Sequence, residues 1–127
     1  MTPEEILLKH WSENSELNAI IPTKNVFAGP VMLVAKPFVC LICGEIKPIC
    51  PTSNAASPVS FAMQLELNCD SFDTGSTQVD QIISAIDTVR IYSSDQRTMI
   101  PRFVALSRKR IGETHWVLTV TFDCFLG

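Results

Sequence analysis

Between Val59 and Val89 the chain changes its hydrophobic period. Val59, Phe61, Met63, Leu65, Leu67 and Cys69 are apolar, while Ser60, Gln64, Glu66 and Asn68 between them are polar. A period of two predicts a strand that lays one face on a core and turns the other to water or to a partner. Strands usually run about five or six residues, so this one is expected to project beyond a simple compact sheet. A turn-rich stretch from Asp70 to Ser76 follows, with Asp73, Thr74 or Ser76 as candidate helix caps. Val79, Ile82, Ile83, Ile86 and Val89 then recur at the spacing of an amphipathic helix.

The same reasoning organises the rest of the chain. Thr2-Pro3-Glu4-Glu5 forms a capping box with proline at the first helical position. The helix it starts is expected to run to about Asn14, with Ile6, Leu7, His10 and Trp11 on one face and a break near Asn14 or Asn18. Lys24 to Pro30 reads as a short strand stopped by Gly29-Pro30. Phe38 to Glu45 is a nearly continuous apolar run of the kind a central strand shows. Residues Ile46 to Pro58 carry three prolines with Ser, Thr and Asn and read as a long loop, a candidate assembly arm. Ile91-Tyr92 is a short strand, and Phe103 to Ile111 a longer one interrupted early by Pro101. After a Gly112-Glu113-Thr114 turn, Trp116, Leu118, Val120, Phe122 and Cys124 alternate through a closing strand. The order predicts one α+β domain over residues 1–127: a mostly antiparallel, or mixed, twisted sheet of about four to six strands with two helices packed on one face.

A chain of 127 residues buries roughly two-thirds of its unfolded surface and needs no disulfide or metal to fold. Charged residues make up 18% against roughly a quarter in ordinary proteins, which points to surface covered by another subunit, although polar loops also dilute charge. A formal charge of -3 argues against sequence-independent nucleic-acid binding. The basic cluster Arg102, Arg108, Lys109 and Arg110 reads as a solvated strand end or hairpin tip in preference to a DNA patch. The N-terminus lacks the basic and apolar pattern of a signal peptide, and no apolar run approaches a membrane span. The protein is therefore expected in a cytoplasm, with no membrane partner.

Cys40-Leu41-Ile42-Cys43-Gly44, with Cys50 further on, has the spacing of a zinc knuckle. No second Cys-x-x-Cys or Cys-x-x-His supplies the rest of a tetrahedral site, and in a regular strand Cys40 and Cys43 would face opposite sides. Core cysteines are the favoured reading; a small metal- or partner-binding adaptor built on Cys40, Cys43 and Cys50 is the alternative. His10 reads as a helix-face residue and His115 as a strand-edge residue. Glu4, Glu5, Glu13 and Glu16 read as a solvated helix face. No nucleophile elbow or phosphate loop is present, so neither catalysis nor a cofactor is expected. Function is therefore sought on exposed surface. Gln64, Glu66 and Asn68 on the long strand, Thr119 and Thr121 on the closing strand, and Ile49, Thr52 and Asn54 in the loop are the candidate oligomer or partner interface.

The layout resembles a known family. A short N-terminal helix leads to Ile20-Ile21-Pro22, then Asn25-Val26-Phe27-Ala28-Gly29-Pro30, then Pro37-Phe38-Val39 entering a strand. The long alternating strand, the helix from Val79 to Val89 and the aromatic closing strand from Trp116 to Phe125 follow. This arrangement is similar to the tail-completion, or tail-terminator, proteins of long-tailed bacteriophages and related prophages, over nearly the whole chain. The resemblance implies a small subunit that forms a ring, usually hexameric, on the tail tube. Such a ring stops tube polymerisation and offers a docking face to the head-tail connector or head-closure protein. It further implies DNA passing only through the lumen and a place in the virion tail or neck after assembly in the host cytoplasm. The family carries no catalytic residues over.

Overall fold

A computed structural model describes residues 2–31, 34–49 and 58–127. Three α-helices, α1 (Pro3–Glu13), α2 (Ser15–Ile20) and α3 (Phe72–Ile86), accompany seven strands. These are β1 (Val26–Ala28), β2 (Phe38–Cys43), β3 (Lys47–Pro48), β4 (Val59–Cys69), β5 (Ile91–Tyr92), β6 (Thr98–Gly112) and β7 (His115–Leu126). The fold is α+β as expected, with one more helix and a larger sheet.

Helix boundaries follow side-chain caps. Thr2 Oγ1 accepts the Glu5 N–H at 3.2 Å and donates to Glu5 Oε1, completing the capping box. The break near Asn14 has a local cause: Asn14 ends α1 and caps α2, its Oδ1 accepting the Leu17 N–H at 3.0 Å. Asn18 then donates to the carbonyls of Trp11 and Asn14, so the two short helices are stitched together. The buried Trp11 indole donates to the Ile21 carbonyl at 2.8 Å, fixing the exit of α2.

The stretch expected as a turn before the second amphipathic helix is that helix's first turn. Ser71, rather than Asp73, Thr74 or Ser76, is the cap, and α3 starts at Phe72. Gly75 obscured this in the sequence because glycine weakens helices. Here it is a contact residue: a Cβ would collide with Cys69 Sγ and lie 3.1 Å from Leu118 Cδ1. The absent side chain lets α3 approach β4 and β7 closely. The helix ends at Ile86, short of Val89, because Asp87 leaves it and Thr88 takes a positive φ of 60°.

The sheet order is β1-β2-β4-β7-β6-β5, with β3 also beside β4. β1 and β2 are parallel and every other pair is antiparallel, so the sheet is mixed. The long strand does not project: β7 pairs with all of β4, from Val59↔Leu126 to Cys69↔Trp116. Nor is the whole of 46–58 a loop, since Lys47 and Pro48 pair with Ser60 and Val59. Residues 50–57 of that expected arm lie outside the described residues. β6 begins at Thr98 and runs through Pro101 without interruption. The Pro101 carbonyl accepts from Thr88, so its nitrogen faces the sheet edge, where no ladder bond is lost.

Pairing register gives the sheet two unlike faces. Phe61, Met63, Leu65 and Leu67 on β4 join Leu118, Val120 and Phe122 on β7, all at most 5% exposed, against Val79, Ile82 and Ile86 of α3. Each such side chain contributes about 1.5–3 kcal/mol when fully buried. α1 touches β1 and β2 and also β5 at the other end of the strand order, so the sheet curls around its helices. The helical face is concave and filled; the other is convex.

Two outcomes follow. Gly75→Ala should lower stability by about 1–2 kcal/mol, because overpacking of about 1–3 kcal/mol outweighs a helix-propensity gain of about 1 kcal/mol. Urea midpoints would show it, and adding Cys69→Ala should recover part of the loss. His10 sits half-buried with Nε2 unpartnered, and burial holds its pKa below 6.5 against a weaker raising effect of Glu13. The unfolded chain then binds more protons than the folded one, so this contribution is present above pH 6.5 and lost on acidification through the folded pKa. A His10→Leu variant should lose less stability than wild type between about pH 7.5 and pH 5, in urea titrations at the two pH values.

Candidate functional site

Every second residue of β4 and β7 faces the convex side, and the ladder sets them in rows. Gln64 lies opposite Thr121 and Glu66 opposite Thr119, with Ala105 and Ser107 of β6 continuing the two rows. Gln64 is exposed, whereas Glu66, Thr119 and Thr121 are partly so. Four of the sequence-derived candidates therefore form one contiguous patch of short or uncharged polar side chains with a single carboxylate. No helix covers it.

Asn68 does not belong to that accessible patch. It is 8% exposed, flanked by Phe38 and Val117, and its Oδ1 accepts a hydrogen bond from His115 Nε2 at 2.9 Å. The convex face is covered at this corner: Phe38 and Cys40 are buried and Phe27 meets Phe38 edge-on at 6.3 Å. A buried amide needs a partner, and the strand-edge histidine provides one. Asn68 is thus a structural residue. Ile49 is 48% exposed but sits at the far end of β4, where its N–H donates to the Pro58 carbonyl. Thr52 and Asn54 lie outside the described residues.

The cysteines do not form a cluster. Cys40 pairs with Glu66 on the convex side and Cys43 with Met63 on the concave side, so one metal cannot use both. Cys50 lies outside the described residues, and among those residues no group of three or more His, Cys, Asp or Glu converges on a metal position. Burial raises the Cys40, Cys43 and Cys69 thiols above their ordinary range and Cys124 to about 12, which disfavours the thiolate that metal binding requires.

Two surface features lie outside the sequence-derived interface, one unnoticed in the sequence and one read there as a solvated strand end or hairpin tip. A shallow depression of about 620 Å³ opens on the convex face, lined among others by Lys47, Ala62, Ile100, Arg102, Asp123 and Phe125. Arg102 and Asp123 make an exposed ion pair at 3.7 Å, worth little in water. Phe125 is 40% exposed, an outward-parity aromatic that the alternation of β7 could have flagged. The second feature is the β6–β7 hairpin end, where Arg108 lies over the Phe72 ring and Arg110 over Trp116, at 5.7 and 5.8 Å. Among the described residues no helix is long and apolar enough to cross a membrane.

Asn68→Ala should cost about 1–3 kcal/mol, as the imidazole loses its buried acceptor, without changing any assembly the protein makes. Paired melting curves and mass measurements test this; an assembly defect at native stability would return Asn68 to the interface.

No protein-family model and no curated protein matches the chain. Among solved structures, the fold is similar to a chain described as "Virion of native gene transfer agent (GTA) particle". The TM-score is 0.72 over 98% of this chain and 93% of that chain, at 14% identity.

Proposed function

We propose that the protein is a structural subunit of a phage-type virion that closes with copies of itself into a ring on the end of a tail tube. The ring ends tube polymerisation and presents the joining face for the head-tail connector, at the tail or neck of the particle. Its partners are other copies in a hexameric ring, tail-tube protein and connector protein, with DNA passing through the lumen. The observation that carries this reading is the near end-to-end likeness of fold to a chain of a gene transfer agent virion. Likeness of fold alone does not assign a role, and the surface adds a second support. Among the described residues the middle of the convex face is left uncovered, carries the Gln64, Glu66, Thr119 and Thr121 patch, and continues into the depression at Phe125. Short polar side chains on a rigid sheet suit repeated docking between subunits. This role requires neither catalysis nor a cofactor. The adaptor alternative loses its ligand pair, because Cys40 and Cys43 face apart.

Electron microscopy with mass measurement on the full chain should show closed rings of about six subunits, since head-to-tail contacts form rings when the rotation closes. In the Gln64→Arg, Thr121→Arg double variant two adjacent cations stand in the middle of the convex face. Circular dichroism and melting should be unchanged, while the protein either stays monomeric or forms rings that no longer bind isolated tail tubes. Assembly and tube binding both retained would remove this face from the interface. A wild type that is monomeric at every concentration and ignores tail tubes would sink the reading as a whole.

A further inference from the structure

The hairpin end of the sheet and the surface of α1 and α2 carry opposite charge. On one flank, β6 pairs with β5 only through Thr98 and Met99. Phe103 donates to Asp87 Oδ1 at 2.8 Å, and beyond it residues 104–111 have no strand on their outer side among those described. This edge is poorly suited to adding another strand. It has an irregularity between Phe103 and Ala105, and it carries Arg108, Lys109 and Arg110 in succession. Bulges and edge cations are devices that discourage strand addition.

Arg108 and Arg110 are nonetheless held in place on the helical side of the sheet, while Lys109, opposite Val117, turns to the convex side. Arg108 and Arg110 lie over Phe72 and Trp116, which themselves stack at 5.0 Å. Arg110 also donates to the Gly112 and Glu113 carbonyls. Lys36 holds the turn, donating to the Thr114 carbonyl at 2.9 Å while paired with Asp70. None of Arg108, Lys109 and Arg110 makes an ion pair with the described residues of its own chain. Ile111 beside them is 58% exposed.

The surface of the first two helices has the complementary character. α1 packs on β1, β2 and β5, and α1 and α2 carry Glu4, Glu5, Glu13 and Glu16 against Lys9 alone. Glu5, Glu13 and Glu16 are exposed, and Lys9 reaches only Glu13, at 4.0 Å. One chain thus bears an acidic helical surface and a cationic hairpin end. Such a molecule matches a second copy placed head to tail, the heterologous contact that a ring repeats. A net charge of -3 makes DNA the weaker match for the same cations.

We infer that the Arg108-Lys109-Arg110 edge of the β6–β7 hairpin docks on the α1–α2 carboxylates, chiefly Glu13 and Glu16, of a neighbouring copy. This rests on the ring reading above and names its lateral contact.

Carbodiimide treatment of assembled full-length protein, mixed from isotopically light and heavy copies, should produce light–heavy amide crosslinks from Lys109 to Glu13 or Glu16. The R108E/K109E/R110E variant should need roughly tenfold more protein to assemble, and so should E13K/E16K, each still folded by circular dichroism, with the hairpin variant melting slightly lower for loss of the Phe72 and Trp116 contacts. The two variants mixed should assemble again. In the mixture an acidic hairpin meets basic helices at one contact, and a basic hairpin meets acidic helices at the next. Rings should then hold even numbers of subunits. Wild-type rings without these crosslinks, or rings of normal mass from either reversed variant alone, overturn the contact while the ring itself stands. Loss of a labelled DNA duplex from the hairpin variant with ring mass unchanged also overturns it, assigning the cations to DNA. A wild type that never assembles removes the ring and this contact together.

Discussion

The pairing of β4 with β7 is the constraint on which the rest of the molecule depends. It runs without a slip from Val59↔Leu126 to Cys69↔Trp116 and sits in the middle of the sheet. Because side chains alternate, a shift of one residue would turn Met63, Leu65, Leu118 and Val120 to water and Gln64 and Thr121 into the core. The register is therefore held by the buried area of both strands at once. α3 reinforces it: Gly75 allows contact with Cys69 and Leu118, one residue from each strand, at a distance that a register error would spoil.

From that central pair the two faces acquire different tasks. The concave face takes all three helices, with α1 reaching β1, β2 and β5 as the sheet curls round it. Among the described residues the convex face receives no element of the chain except at the β1–β2 corner, where Phe38 and Cys40 are covered. The proposed docking surface is the part left open. The edges differ as well: β1 is short, whereas the outer edge of β6 beyond Met99 is long, basic and without a partner strand among the described residues. The proposed head-to-tail ring draws on this asymmetry.

Much of this was legible from local pattern. The alternation of β4 and β7, the stripe of α3, the Thr2 capping box and the apolar run of β2 all named their elements. Four residues of the proposed surface, Gln64, Glu66, Thr119 and Thr121, were identified from parity alone, and the ladder sets them side by side. The misreadings share a cause. Asp70 to Ser76 looked like a turn because Gly75 is a poor helix former, yet its smallness serves a contact with residues distant in sequence. Lys47-Pro48 looked like loop because two residues have no visible period. Pro101 looked like an interruption because only the sheet order shows that its nitrogen faces an edge. Asn68 looked exposed because polarity was taken for solvent contact, and its partner His115 lies 47 residues away.

Periodicity, caps and composition are properties of neighbours along the chain, and they determined which segments are strands or helices and which side of each is apolar. They also determined that no local motif of catalysis is present. Tertiary structure alone decided which outward residues remain open: closure of the β1–β2 corner buried Asn68 and Cys40, while Gln64 and Thr121 stayed free. It likewise decided that Cys40 and Cys43 part company, and that Arg108 and Arg110 settle on Phe72 and Trp116. Those outcomes depend on pairings across tens of residues, whose free energy comes from burial summed over the assembled sheet. No short stretch of sequence carries that sum.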